Sequence, residues 1–205
     1  MRLRFHPPGL GAPAAGQHAF GKSLSCREAC RKPGLLTPGA QTGIEQGRHG
    51  ARRARPDHPM RTTQPPAYRL ILRSSAIHGR GCYAGEPIPV GAFIIEYTGE
   101  RIPAEEAYRR EADRGRPGIY TFWTGEDAAI DGLNGGNESR FINHCCTPNC
   151  DYRIENGRVL IHAARPIAAG EELSIDYSYS PEGERIPCGC GSCVCRGQIN
   201  APDES

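Results

Sequence analysis

Arg140–Cys150 reads R-F-I-N-H-C-C-T-P-N-C. An apolar Phe-Ile pair runs into Asn143 and His144, two polar side chains that need hydrogen-bond partners once buried. In isolation the pair suits a satisfied structural turn. Three cysteines follow it, and the tail repeats the theme with C-G-C-G-S-C-V-C-R-G at Cys188–Gly197. Thiolate zinc sites are tetrahedral and usually draw four ligands from two segments. A C-x-C with a third cysteine in the same loop then needs a fourth ligand from elsewhere, from Cys145, Cys146 or Cys150. The other readings are a self-contained four-cysteine clip or redox-sensitive thiols.

Three further motifs lie around this stretch. Gly170–Tyr179, G-E-E-L-S-I-D-Y-S-Y, is a turn followed by a strand ending in two tyrosines. Glu96–Glu100, E-Y-T-G-E, is a strand end that breaks at Gly99. Ser75–Ala84 holds Gly79 and Gly81 on either side of Arg80, where backbone can approach a ligand closely. Short runs rich in strand formers predict strands at Tyr68–Leu72, Ala92–Tyr97, Ile119–Thr124, Ala128–Asp131 and Leu173–Tyr177. Tyr152–Glu155 and Arg158–Ala163 flank Asn156-Gly157, a two-residue hairpin turn. One helix is expected from Pro103 to a glycine cap at Gly115. The pattern is mostly β, in a domain of roughly 130 residues.

Upstream the composition changes. Residues 1–66 contain 9 Gly and 9 Pro but only 8 Leu, Ile, Val and Phe, too little apolar surface to offset backbone ordering. We expect a disordered extension over 1–66, with Met60 as an alternative start. The chain then divides into a folded body at 67–180, a cysteine segment at 181–199 and a tail at 200–205. Charge is divided too: residues 1–66 carry 11 Lys/Arg and 3 Asp/Glu, a net +8, and residues 67–205 carry 14 and 20, a net −6. An acidic body suits a Lys/Arg-rich protein better than DNA. Nucleic-acid binding is therefore expected only weakly, through the basic extension. No apolar run is long enough to span a membrane or to read as a secretory signal, and without such a signal clustered cysteines read as metal ligands before disulfides.

In order and spacing these motifs resemble SET-domain protein-lysine methyltransferases with a post-SET zinc segment, over about Tyr68–Asn200. The family's I-H-G-x-G matches Ile77–Gly81, and its E-Y-x-G-E matches Glu96–Glu100. Its Y-x-F matches Tyr120–Phe122. Its R-F-I-N-H-S-C-x-P-N-C matches Arg140–Cys150, with Cys145 in place of the usual serine. Its G-E-E-L-T-x-D-Y matches Gly170–Tyr177, with Ser174 for threonine. Its C-x-C-x4-C matches Cys188, Cys190 and Cys195, leaving Cys193 extra. Because no cysteine-rich pre-SET region is visible, the chain resembles the short stand-alone members, bacterial ones included.

The resemblance implies a SET (β-clip) fold with a C-terminal pseudoknot. It implies methyl transfer from S-adenosylmethionine to a lysine entering a narrow channel from the opposite face. Gly79, Arg80, Gly81, Tyr120, Arg140, Asn143, His144 and Tyr177 are expected on the cofactor side, and Tyr97 and Tyr177 as catalytic. Tyr152, Ile175 and Tyr179 are expected in the substrate channel. Tyr152 paired with an aliphatic Ile175 resembles members that stop at one methyl. A Zn2+ ion is expected on Cys146, Cys188, Cys190 and Cys195. The substrate is expected to be a basic protein, such as a histone or a DNA-associated protein. The compartment would be cytoplasmic in a bacterium and nuclear or chromatin-associated in a eukaryote. The rival readings are a zinc-stabilised interaction module without turnover and a cysteine-based redox protein.

Overall fold

The computed structural model describes residues 64–202. The expected disorder of the extension and the alternative start at Met60 therefore fall largely outside the described residues. Ten short strands, one α-helix and one 3-10 turn make up the body, and a mostly-β fold is what the strand-rich runs predicted.

β1 (Leu70–Ser74) and β2 (Arg80–Ala84) form an antiparallel pair. β3 (Phe93–Tyr97), β9 (Arg158–Ala163) and β8 (Cys150–Glu155) form a three-stranded sheet with β9 in the centre. β4 (Glu100–Pro103), β6 (Ala128–Asp131) and β5 (Thr121–Trp123) form a second one, with β5 and β4 at its edges. β7 (Asn143–His144) and β10 (Ser174–Ile175) pair in parallel. Ile94, Ile95, Val159 and Ile161 lie in one core with Cys82, Ile88, Ile167 and Leu173, all at most 2% exposed, and the β3–β9 register shifts between Phe93 and Ile95. A satellite cluster of Ile102, Ala107, Trp123 and Ala129 lies under the helix.

Asn156 and Gly157 both adopt positive φ, 52° and 72°, as a type I′ turn requires. The β8–β9 register runs from Glu155↔Arg158 at this turn to Cys150↔Ala163.

Several boundaries differ from expectation: β3 starts at Phe93 rather than Ala92, β5 spans Thr121–Trp123 rather than Ile119–Thr124, and β8 begins at Cys150 rather than Tyr152. The first strand begins at Leu70 rather than Tyr68. Helix α1 spans Ala104–Ala112, with Pro103 at its N-cap. It ends at Asp113 rather than at a Gly115 cap, and the Asp113 Oδ1 accepts a hydrogen bond from Gly115 N at 2.9 Å. The last predicted strand, Leu173–Tyr177, pairs only at Ser174–Ile175. Beyond Ile175 the backbone turns to side chains: Tyr177 N donates to His144 Nδ1 and Ser178 N to Asp176 Oδ1.

Candidate active site

The parallel pair β7–β10 brings the two most informative motifs side by side. Around it lies a cavity of about 110 Å³. Its walls include Tyr97, Tyr120, Arg140, Tyr152, Ile175, Tyr177 and Tyr179, so seven of the predicted site residues converge there. Phe122, Trp123 and Asp176 line it as well and were not predicted.

The aromatic side chains form a connected wall. Tyr97 lies 5.2 Å from Phe122, and Tyr152 stands edge-on to Phe122 at 4.8 Å. Tyr177 lies 5.7 Å from Tyr179 and 5.5 Å from the His144 ring. Each inner tyrosine is pinned through its hydroxyl: Tyr97 donates to Tyr120 O at 2.7 Å and Tyr177 to Ile142 O at 2.9 Å. A Cβ on Gly132 would stand 2.5 Å from the Tyr97 hydroxyl, so glycine is what lets this ring seat. Burial holds the phenols of Tyr97, Tyr177 and Tyr179 well above the usual range. They are neutral at physiological pH and none is a ready base.

Asn143 and the glycine motif meet on another flank of β7. The Asn143 carboxamide donates to Arg80 O at 3.0 Å, to His78 O at 3.2 Å and to Glu172 Oε1 at 2.9 Å. Gly79 has a positive φ of 46° and open space where a Cβ would stand. The Arg80 guanidinium lies over the Phe141 ring at 4.6 Å, and Arg140 lies over the same ring at 4.8 Å. Arg140 Nη1 donates to Gly132 O, while its buried Nε has no partner. An orphaned guanidinium donor and an open glycine loop suit an extended ligand bearing a carboxylate.

Cys146, Cys188, Cys190 and Cys195 place their sulfurs within 4.8 Å of one another. Cys146 Sγ is 3.7 Å from Cys188 Sγ and 3.9 Å from Cys195 Sγ. Four thiolates around a tetrahedral ion with bonds of about 2.3 Å would be ~3.8 Å apart, so the donor set fits a metal ion. Cys145 and Cys150 are buried elsewhere, and Cys193 is exposed and outside the cluster. Of Cys145, Cys146 and Cys150, it is Cys146 whose sulfur lies with the tail cysteines.

His144 joins the cysteine cluster to the cavity. Its Nδ1 accepts from Tyr177 N at 3.2 Å, which leaves Nε2–H facing Cys146 Sγ at 3.4 Å. Burial lowers its pKa to about 4, so the ring is neutral. The 3.5 Å approach of Asp176 Oδ1 to Nδ1 is then a contact rather than an ion pair. Asp176 pairs instead with Arg196, at 2.6 and 2.9 Å, and Arg196 N donates to Cys146 Sγ. Burial would raise the Asp176 carboxyl, but Arg196 and the Ser178 N–H hold it below its usual range. The tail is therefore tied to the residue just before Tyr177.

Sequence reasoning missed the buried carboxyls. Glu111 on α1 accepts from Trp123 Nε1 at 3.0 Å and from Thr121 Oγ1, and its Oε2 is buried without a partner. Glu172 lies beneath the glycine motif at 8% exposure. Nothing in either local sequence separates these residues from solvated surface acids.

Residues 79–178 match the family model described as SET domain. A histone-lysine N-methyltransferase, H3 lysine-4 specific, from Yarrowia lipolytica is 47% identical over 135 residues, covering 62% of this chain and 12% of that protein. Histone-lysine N-methyltransferase trithorax from Drosophila melanogaster is 42% identical, with coverage of 62% and 4%. Human histone-lysine N-methyltransferase SETD1A is 40% identical, with coverage of 64% and 8%. The chain thus spans a small part of the length of these curated relatives. Among solved structures, Chaetomium thermophilum Polycomb Repressive Complex 2 bound to GSK126 aligns with a TM-score of 0.51 at 37% identity, over 57% of this chain and 17% of that one. These relatives are eukaryotic, which gives no support to a bacterial stand-alone type.

Proposed function

We propose that this chain, which carries a SET domain over residues 79–178, is an S-adenosylmethionine-dependent protein-lysine N-methyltransferase. The observation that carries this reading is the cavity walled by Tyr97, Tyr152, Tyr177 and Tyr179 beside the Asn143–Arg80 contact. The relatives' names favour a histone as the basic substrate. They also favour the nuclear, chromatin-associated compartment over the bacterial cytoplasm.

S-adenosylmethionine, when bound, supplies a methyl already activated on a sulfonium, so the protein's task is alignment and charge stabilisation. Gly79–Gly81, Asn143 and Arg140 would hold it. The attacking lysine amine has to be neutral. With a free pKa near 10.4, losing its proton at pH 7 costs roughly 4–5 kcal/mol. A channel of buried aromatic rings offsets part of that by disfavouring the ammonium. Tyr97 and Tyr177 give their hydroxyl protons to backbone carbonyls, leaving each oxygen to accept from the amine and hold its lone pair in line. Ring faces favour the cationic methyl during transfer.

We assign Zn2+ to Cys146, Cys188, Cys190 and Cys195 within a post-SET segment at 181–199. Its role is to clamp the tail, with Arg196 and His144 carrying that order to Tyr177.

The test is incubation of the full chain with labelled cofactor and either histones or a host lysate, followed by mass spectrometry of the labelled residues. Label on lysine side chains is expected. A protein that binds zinc and cofactor but labels nothing would favour the interaction-module reading.

A further inference from the structure

Three side chains from distant parts of the chain meet at the Glu172 carboxylate. Its Oε1 accepts from Ser75 Oγ at 2.7 Å and from Asn143 Nδ2 at 2.9 Å. Its Oε2 accepts from Tyr83 OH at 2.9 Å. The partners in turn hold the loop before β2. Ser75 Oγ accepts from Ile77 N at 2.9 Å, and Asn143 Nδ2 also reaches His78 O and Arg80 O. Beneath the loop, a Cβ on Gly81 would stand 2.3 Å from Glu172 Oε1, so the carboxylate is seated directly against the glycine backbone. The strand around it is fixed as well, since Leu173 N donates to Cys82 O and Ala84 N to Glu171 O.

We infer that Glu172 is the positioning residue for the 77–81 loop, setting affinity for the adenosyl cofactor without touching the transferring methyl. The inference rests on the methyltransferase reading and adds to it a residue outside the cavity. The physical reason is connectivity. One carboxylate orders both a hydroxyl and a carboxamide, and hydrogen bonds to a charged group are the stronger kind. Without it, Asn143 keeps its carbonyl acceptors but loses the anchor that fixes its plane. Ser75 loses the acceptor that aims its lone pairs at the loop amides.

The two obvious variants separate geometry from charge. In Glu172→Gln the oxygen still accepts from Ser75 and Asn143. The new amide donates to Tyr83 Oη, while Tyr83 gives its proton to Ser74 O, already 3.1 Å away. Equilibrium binding of S-adenosylmethionine to the full chain is expected to stay within about threefold of the parent for Glu172→Gln and to weaken about tenfold or more for Glu172→Ala. The alanine variant should raise the cofactor KM and leave both the peptide KM and kcat at saturating cofactor nearly unchanged. Should Glu172→Ala fail to fold by circular dichroism, Ser75→Ala gives the second reading, with a several-fold loss of cofactor affinity alone. A folded Glu172→Ala with parental affinity would overturn the inference, as would a fall confined to kcat. A parent chain that binds no S-adenosylmethionine would instead overturn the methyltransferase reading.

Discussion

Tyr152 differs from the inner tyrosines in being half-open to solvent, at 37% exposure. Its ring is held edge-on to Phe122, whereas Ile175 beside it is buried at 4%. Each methyl added to the amine displaces water and needs room to rotate. A hydroxyl at the channel wall retains that water, and an aliphatic neighbour cannot. We therefore expect mainly monomethyl-lysine. Tyr152→Phe keeps the ring packing and removes only the hydroxyl. The di- and trimethyl share should rise several-fold while the first transfer stays within about twofold. Mass spectrometry of a peptide under excess cofactor decides it, and an unchanged product ratio would count against this role for Tyr152.

At the scale of elements, β5 lines the cavity, and α1 is bonded to β5 through Glu111. Burial raises that carboxyl to about 7, against hydrogen bonds from Thr121 and Trp123. Arg116 and Asp131 are its charged neighbours. A folded pKa above the unfolded value means that the fold binds this proton more tightly. The stability it confers is whole below the ordinary carboxyl value of 4.5 and is lost as pH rises through 7. The linkage is at most about 3 kcal/mol, less after solvent screening. Glu111→Gln should therefore melt above the parent at pH 8 and close to it at pH 5. An equal gap at both pH values would show that Glu111 does not titrate as argued.

The same elements show what the sequence made legible. β6 and β9 were readable because every residue of each strand finds ladder partners, and Asn156-Gly157 announced its turn. The predicted strand at Leu173–Tyr177 ran too long because its apolar and aromatic residues continue past the point where the backbone leaves the ladder. The cysteine cluster and the tyrosines could be found through the motifs that carry the family resemblance. Glu111, Glu172 and Asp176 could not, since an acid's burial depends on which distant segment covers it.

At the scale of the whole molecule, the cysteine cluster fastens the tail to the cavity through Arg196–Asp176 and His144–Tyr177. Metal analysis of purified variants should show about one zinc per chain in Cys193→Ser and loss of the ion in Cys195→Ser. The second variant should also melt at a lower temperature. Retention of zinc by Cys195→Ser together with its loss from Cys193→Ser would reverse the ligand assignment. The most direct measurement for the whole account joins binding to turnover in one side chain. Tyr177→Phe removes the hydroxyl bonded to Ile142 O and leaves the ring between His144 and Tyr179. Methyl incorporation into histone lysines, followed by mass spectrometry beside cofactor binding, should fall about a hundredfold or more with cofactor affinity nearly intact. Undiminished lysine methylation by Tyr177→Phe would contradict the account.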